Sequence, residues 1–184
     1  MTDKPALRAR LRAIRDAFAV DRRAFDPPAE FLALLADGLI VATYSPVGGE
    51  AAPASFDHGV LAALGELALP HVTDRASPIR FLHWSRDEPL VPGPFGLLQP
   101  PHDMPEAKPD IILTPLVGFD RAGNRLGQGA GHYDRAFAAH PGALRIGIAW
   151  SVQEVDALPA DPWDVPLHHI ATEKEWITPV ATQP

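Results

Sequence analysis

The sequence predicts an α/β fold, with helices covering a mainly parallel sheet. Several short apolar runs lack the alternation of a half-exposed strand, which is typical of strands buried on both faces. Helical patterns separate these runs, and strands that alternate with helices usually form parallel sheets. The 184 residues contain no repeat and no linker, so residues 1–184 are expected to form a single domain.

The first part of the chain predicts two helices. Leu7, Leu11, Ile14 and Phe18 recur at the spacing of one helical face. Arginines follow the same spacing one step around that face, at positions 8, 12 and 15. Two prolines then interrupt the pattern, and residues 29–36 predict a second helix.

The remaining elements are predicted from apolar runs bounded by glycine and proline. Strands are predicted at residues 39–44, 69–73, 79–84, 111–114 and 144–150, with further short strands near Ile170 and Trp176. Helices are predicted at residues 56–67 and 132–140. Residues 86–109 are predicted to be largely irregular, and residues 117–131 to form a glycine-rich loop.

Composition excludes several classes of function. A formal net charge of −7 argues against a nucleic-acid partner, because proteins that bind polyanions are normally basic. The absence of cysteine rules out disulfides, thiolate nucleophiles and cysteine-bound zinc. No apolar run approaches the roughly 20 residues of a membrane helix, and no apolar signal core follows the basic N-terminal segment. We therefore expect a cytoplasmic protein with no membrane partner.

The candidate chemistry lies in residues 115–135, whose sequence PLVGFDRAGNRLGQGAGHYDR places five glycines between a predicted strand and a predicted helix. Ligands of open parallel sheets bind beyond the carboxyl ends of the strands. Glycines allow main-chain amides to face an anion, and the next helix adds its positive end. Arg125 can contact phosphate oxygens through two nitrogens, and Asp134 can hold Mg²⁺ beside them. The segment therefore predicts a phosphate site.

By itself this segment matches neither common nucleotide motif. It lacks the glycine-lysine-serine/threonine of a P-loop, and Gly127, Gly129 and Gly131 lack the spacing of the dinucleotide fingerprint. The same glycines also suit an ordinary turn between a strand and a helix. Likewise, the helix dipole alone favours an acid such as Asp134 in a first helical turn. The glycine spacing leaves both interpretations open.

A longer pattern favours the phosphate site. Residues 114–135 resemble the signature of the 5-formyltetrahydrofolate cyclo-ligases, P-x-x-x-FD-x-x-GNRLG-x-G-x-G-x-YD. Three weaker matches occur in the family's order. Lys4 and Arg8 resemble its K-x-x-LR, residues 44–50 resemble its Y-x-P-x-x-x-E, and residues 158–167 resemble its PxxxxD-x-x-L. Together these matches cover nearly the whole chain.

The resemblance implies a set of site residues. Lys4 and Arg8 would contact the phosphates of ATP, Arg125 would be the catalytic residue, and Asp134 and Asp164 would hold Mg²⁺. The other nucleotide contacts that the resemblance implies are Leu126, Gly127, Gln128, Gly129, Ala130, Gly131, His132 and Tyr133. The implied substrate contacts are Tyr44, Glu50 and Tyr133.

The resemblance also implies a fold and a reaction. The family has a three-layer α/β/α sandwich, and its small-molecule substrate is 5-formyltetrahydrofolate, with or without a polyglutamate tail. The N5-formyl oxygen is phosphorylated by ATP, N10 attacks the imidate phosphate, and the ring closes to 5,10-methenyltetrahydrofolate with release of ADP and phosphate. ATP and Mg²⁺ are thus expected, as is a monomer or weak homodimer.

Four positions depart from the family pattern. Gln128, Ala130, His132 and Gln99 stand where the family often has basic, aromatic, glycine or acidic residues. These departures bear on the folate pocket and the phosphate contacts. Two other functions stay open: a related ATP-dependent enzyme acting on another acceptor, and a non-catalytic protein that binds nucleotide or folate.

Overall fold

The structure is a computed structural model that describes residues 3–22, 24–159 and 161–179, without the side chain of Phe95. The helices within these ranges are α1 (Lys4–Phe18), α2 (Ala29–Leu32), α3 (Ala54–Ala62) and α4 (His132–Ala139). The strands of the first half are β1 (Ile40–Ala42), β2 (Glu66–His71), β3 (Arg80–His83), β4 (Val91–Pro92) and β5 (Leu98–Gln99). Those of the second half are β6 (Ile111–Pro115), β7 (Gly118–Phe119), β8 (Arg125–Leu126), β9 (Leu144–Ile148), β10 (His169–Ala171) and β11 (Trp176–Ile177).

Seven of these strands form one sheet in the order β11-β10-β9-β6-β1-β2-β3. The five central strands pair in parallel, and the two edge strands, β11 and β3, pair antiparallel to their neighbours. The sheet is therefore mainly parallel, as the unalternating apolar runs predict. Since the central strands run the same way, their carboxyl ends meet at one edge of the sheet.

Helices cover both faces of this sheet. Successive residues of β6 point to opposite faces, as the period of a strand requires. Ile112 packs in a buried cluster with Phe137 of α4, whereas Leu113 packs in a second cluster with Phe31 of α2 and Phe56 of α3. The three-layer α/β/α arrangement predicted from the sequence is confirmed.

Helix α1 lies over the glycine-rich hairpin. Its predicted apolar face buries Leu7 and Leu11, which pack against Val117 and Leu126 in a third cluster. Ile14, on the same predicted face, is 39% exposed. None of the helices in the described ranges has the length and apolar character needed to cross a membrane.

The boundaries of two predicted helices are wrong. The helix predicted at residues 56–67 is α3, which ends at Ala62 because Leu64 has a positive φ of 60°. The next residue, Gly65, approaches the Leu39 carbonyl so closely that a Cβ would lie 2.9 Å from its oxygen. Strand β2 therefore begins earlier than predicted. The helix predicted at residues 29–36 is a single turn, Ala29–Leu32.

Two segments predicted to lack regular structure contain short hairpins. Strands β4 and β5 pair within residues 86–109, and β7 and β8 pair within residues 117–131. Strands of two residues are too short to give an alternating pattern, so the sequence carries no signal for them. The C-terminal motif at residues 158–167 includes Ala160, which lies outside the described residues.

Helix α3 carries a buried acid, Asp57, that is 5% exposed. Burial raises the pKa of Asp57 from 3.8 to about 6, although the Thr43 hydroxyl and the Arg86 guanidinium oppose the rise. The unfolded chain therefore loses this proton at lower pH than the folded chain does. Above pH 6 the folded protein bears the cost of a buried charge, whereas below pH 4 both states hold the proton and the cost vanishes.

We predict that Asp57→Asn stabilises the protein at pH 7.5 by about 2 to 3 kcal/mol, because a pKa difference of one unit corresponds to roughly 1.4 kcal/mol. The gain should shrink toward zero at pH 4. Urea unfolding at both pH values measures it. Asp37→Asn, which changes an exposed acid, is the matched control. A gain that does not depend on pH would contradict this account of Asp57.

Candidate active site

A cavity of about 710 Å³ lies at the carboxyl ends of the central strands. Tyr44 follows β1, Val72 follows β2 and Pro115 ends β6, and all three line the cavity. Helix α1 and the start of α4 contribute other walls. Every site residue predicted from the sequence lines this one cavity: Lys4, Arg8, Tyr44, Glu50, Arg125, Leu126, Gly127, Gln128, Gly129, Ala130, Gly131, His132, Tyr133, Asp134 and Asp164.

The glycine-rich loop joins β8 to α4 and supplies main-chain amides to the cavity. Gly129 and Gly131 have φ of 100° and 66°, a region that other residues rarely adopt. A Cβ on Gly129 would also lie 3.4 Å from Cζ of Arg8. Within the described chain, the amides of residues 127–131 donate no hydrogen bond, so they are available to an anion at the start of α4.

Two arginines flank this loop. Arg8 reaches from α1 and donates from Nε to the Gly127 carbonyl at 2.8 Å. The side chain of Arg125 is only 6% exposed and forms an ion pair with Asp134, with Nη2 2.5 Å from Oδ1. Its guanidinium lies 5.0 Å from the centre of the Phe137 ring. Arg125 is therefore held as a fixed charge, as a phosphate contact requires.

Lys4 ties the start of α1 to the C-terminal segment. Its Nζ lies 2.6 Å from Asp161 Oδ2 and 3.2 Å from Asp164 Oδ2. Partial burial lowers the pKa of Lys4, but the hydrogen bonds to the two carboxylates outweigh burial and raise it. The ammonium therefore stays charged at neutral pH. This arrangement places one cation and two acids next to each other at the cavity wall.

Glu50 is held in a chain of polar side chains at another wall. Arg12 donates from Nε to the Gln128 oxygen at 3.0 Å, and the Gln128 amide donates to Glu50 Oε1 at 3.1 Å. Arg15 Nη1 lies 3.7 Å from the same Glu50 oxygen. Burial raises the pKa of Glu50, whereas the Val47 amide and Gln128 partly offset the rise. Gln128 thus links the glycine loop to Glu50.

Two tyrosines border the cavity, Tyr44, which is buried, and Tyr133, which is half-buried. The Tyr44 hydroxyl donates to the Ala51 carbonyl, so its ring is the part left for a ligand. Burial raises the pKa of Tyr44 and that of Tyr133, and the nearby Glu50 charge adds to both shifts. Both phenols therefore remain neutral at physiological pH. Neutral rings of this kind suit contact with a flat aromatic ligand.

Asp120 and Asn124, two residues of the long motif, fix the conformation of the hairpin. Asp120 is 2% exposed, and its carboxylate accepts from the Ala122 and Asn124 amides at 3.0 Å each. It also accepts from the Asn124 side chain and from the Leu158 amide, at 2.9 Å each. Asp120 therefore positions the hairpin and the segment that leads to Asp164, and it does not line the cavity.

Comparison with known proteins fits this geometry. The model of the 5-formyltetrahydrofolate cyclo-ligase family matches residues 1–173. The chain belongs to this family. The cyclo-ligase of Mycolicibacterium smegmatis is 35% identical over 148 residues, which is 76% of each protein. The cyclo-ligase of Haemophilus influenzae is 40% identical over 96 residues, and this match spans only 51% of that relative's length.

Solved structures of cyclo-ligase relatives have the same fold. The NMR structure of Aquifex aeolicus 5,10-methenyltetrahydrofolate synthetase superposes with a TM-score of 0.75 and 27% identity, over 98% of this chain and 94% of that one. The Mycoplasma pneumoniae synthetase superposes with a TM-score of 0.67 and 25% identity, over 94% and 99%. The predicted family, fold class and class of enzyme, a folate ligase, are confirmed.

The cavity has features that suit a magnesium nucleotide. The described residues contain no group of three or more acids and histidines that could enclose a metal ion. Mg²⁺ beside a nucleotide needs only one or two carboxylates, because phosphates and waters complete its shell. Asp134 and Asp164 can supply these carboxylates. The Val165 amide lies 3.5 Å from Asp134 Oδ1, and this contact brings the residue next to Asp164 beside Asp134. The buried Arg125 Nε and Arg15 Nη1 have no hydrogen-bond partner in the described chain, which suits an added anion.

Sequence reasoning missed part of the cavity wall. Arg12 and Arg15 line it together with Arg8. Their spacing from Arg8 could have indicated this, because residues at this spacing share one side of a helix. The ion pair of Asp161 with Lys4 was also missed. An apolar wall was missed entirely, since its members come from separate segments: Pro70, Val72, Ile79, Leu97 and Leu98.

Proposed function

We propose that this protein converts 5-formyltetrahydrofolate to 5,10-methenyltetrahydrofolate with consumption of ATP and release of ADP and phosphate. One observation carries the proposal. A single cavity holds free loop amides with Arg125, which suit a triphosphate, and Glu50 with Tyr133, which suit a polar heterocycle. Transfer between two substrates requires that both bind in contact, and one cavity lined by both sets of residues meets that requirement.

The phosphate half of the cavity supplies positioning and charge. Phosphoryl transfer needs little covalent help from the protein, so catalysis depends on orientation and on stabilising charge in the transition state. Loop amides 127–131 and Arg8 would orient the triphosphate. Arg125, buried and fixed against the Phe137 ring, would face the oxygens of the transferred group. Lys4 would add a further positive charge.

The folate half supplies recognition. Glu50 can accept hydrogen bonds from the amino and ring N–H groups of the pterin, and burial raises its pKa above the ordinary value. Tyr133 lies in the first turn of α4, with its ring centre 5.9 Å from the Arg125 guanidinium and its hydroxyl within reach of the Glu50 charge. This placement would hold the N5-formyl oxygen near the transferred phosphoryl group. N10 then closes the ring within the same cavity.

Asp134 and Asp164 would hold Mg²⁺, which neutralises phosphate charge when it is bound. Each of these acids forms an ion pair with a cation assigned to the phosphates, Arg125 or Lys4. The pairs keep the buried charges compensated within the protein. They also place each acid within a few ångströms of a proposed phosphate contact, where a bridging metal would be needed.

The direct test mixes the protein with Mg²⁺, ATP and 5-formyltetrahydrofolate and follows the absorbance of the methenyl product. We expect a rise that requires both ATP and the folate. Hydrolysis of ATP that ignores the folate would favour an enzyme with another acceptor. Tight binding without product over hours would favour a non-catalytic protein. Either result would reject the proposal.

We predict that Arg125→Ala lowers kcat by roughly a hundred-fold or more, because a charge that acts on the transition state is lost. Steady-state kinetics measure the change. Arg121→Ala is the matched control, since Arg121 lies in the same hairpin but pairs with Glu154 and Glu175 outside the cavity. A near-normal rate for Arg125→Ala would remove this residue from the mechanism.

We predict that Asp134→Asn raises the Mg²⁺ concentration for half-maximal activity by about ten-fold or more, because a charged ligand becomes a neutral one. A magnesium titration at saturating ATP measures this. Asp156→Asn, which changes an exposed acid in a loop, is the control. If the titration curve does not move, Asp134 serves only to orient Arg125 and to favour the start of α4.

A further inference from the structure

Arg75 presents a cation at the cavity that the proposed reaction does not use. Arg75 is exposed and lines the cavity from the segment that joins β2 to β3. In the described part of the chain, no acidic side chain pairs with its guanidinium. The other lining cations Lys4, Arg8, Arg12, Arg15 and Arg125 all contact a carboxylate, a carbonyl or Gln128. The Arg75 guanidinium therefore keeps its hydrogen-bonding capacity for a ligand.

The backbone around Arg75 is held firmly although the residue is exposed. The Asp74 carboxylate accepts from the Ala76 and Ser77 amides at 2.7 Å each, and these bonds lower the pKa of Asp74. The Arg75 carbonyl accepts from Arg135 Nη2 at 3.1 Å and lies 3.2 Å from His132 Nε2. The start of α4 thus fixes where Arg75 stands.

Two apolar residues of the cavity wall, Val72 and Ile79, lie on the same β2–β3 segment as Arg75. In the register of β1 and β2, Ala42 lies opposite Ala68, so Tyr44 is level with Pro70. The chain then continues outward from the sheet through Val72 to Arg75. Val72 belongs to a buried apolar cluster, and Leu97 packs against the same cluster. A ligand that reaches from Tyr44 to Arg75 therefore passes an apolar surface.

This order of surfaces matches the parts of a folate. The molecule has a polar pterin, then a flat benzoyl ring, then a glutamate with two carboxylates. We propose that Arg75 binds a carboxylate of this glutamate, or of the polyglutamate tail that extends from it. The inference rests on the function proposed above and adds a binding subsite to it. His132, a departure from the family pattern, then acts by holding the Arg75 carbonyl.

A phosphate of ATP is the other anion available to Arg75. Arg75 lies on the β2–β3 segment with two residues of the apolar wall, Val72 and Ile79, whereas the cations assigned to phosphate lie on α1 and on the β7–β8 hairpin. The carboxylate is thus the better match. Because both anions are present in the reaction, the test measures each separately.

Equilibrium binding by calorimetry tests the subsite without relying on turnover. For Arg75→Gln we expect the Kd of 5-formyltetrahydrofolate to rise about three- to ten-fold, as for loss of one charge-assisted contact at an exposed site. The Kd of 5-formyltetrahydropteroate, which has no glutamate, and that of Mg²⁺-ATP should not change. Arg75→Lys should keep most of the affinity. Arg10→Gln, an exposed change on α1 outside the cavity, is the control.

The outcomes separate this inference from the proposed function. Unchanged affinity of Arg75→Gln for the glutamate-bearing folate, with tight binding by the parent protein, would overturn the subsite alone. Equal weakening for the folate and its glutamate-free analogue would overturn it as well, and so would a loss confined to Mg²⁺-ATP. No binding of either folate by the parent protein would reject both proposals.

Discussion

The site depends on one constraint: the chain between β8 and α4 must turn its amides toward the cavity. Gly129 and Gly131 meet this constraint because their positive φ angles would strain other residues. Arg8 also packs against Gly129 so closely that a side chain there would meet its guanidinium. Asp120 fixes the hairpin that leads into the loop. The proposed anion site is therefore built mainly from backbone, with arginines beside it.

Ion pairs lower the free-energy cost of placing several ionised side chains around one cavity. Arg125 pairs with Asp134, and Lys4 pairs with Asp161 and Asp164. A buried charge without a partner would cost several kcal/mol of stability, so the pair made by the buried Arg125 supports the fold as well as the site. The Lys4 pairs connect α1 to the C-terminal segment, and the Arg125 pair connects the hairpin to α4. A ligand that contacts one residue of an ion pair therefore also affects the position of its partner.

Much of this arrangement could be predicted from the sequence, because its signals are local. The apolar runs predicted the parallel sheet, and the motif at residues 114–135 predicted the loop that lines the cavity. Residues that act across long separations could not be found this way. Arg75 reaches the cavity through bonds to His132 and Arg135, and nothing in its own neighbourhood of the sequence shows that. The end of α3 at Ala62 likewise depends on the tight approach of Gly65 to Leu39, a tertiary contact.

The central claim is that the amides of residues 127–131 bind the triphosphate. The most direct measurement follows the ¹H–¹⁵N signals of Gly127, Gly129 and Gly131 during a titration with Mg²⁺-ATP, with Gly142, which is remote from the cavity, as internal reference. The account predicts large saturable shifts at the three loop glycines and little change at the reference. Binding of the nucleotide with no change at these amides would contradict it.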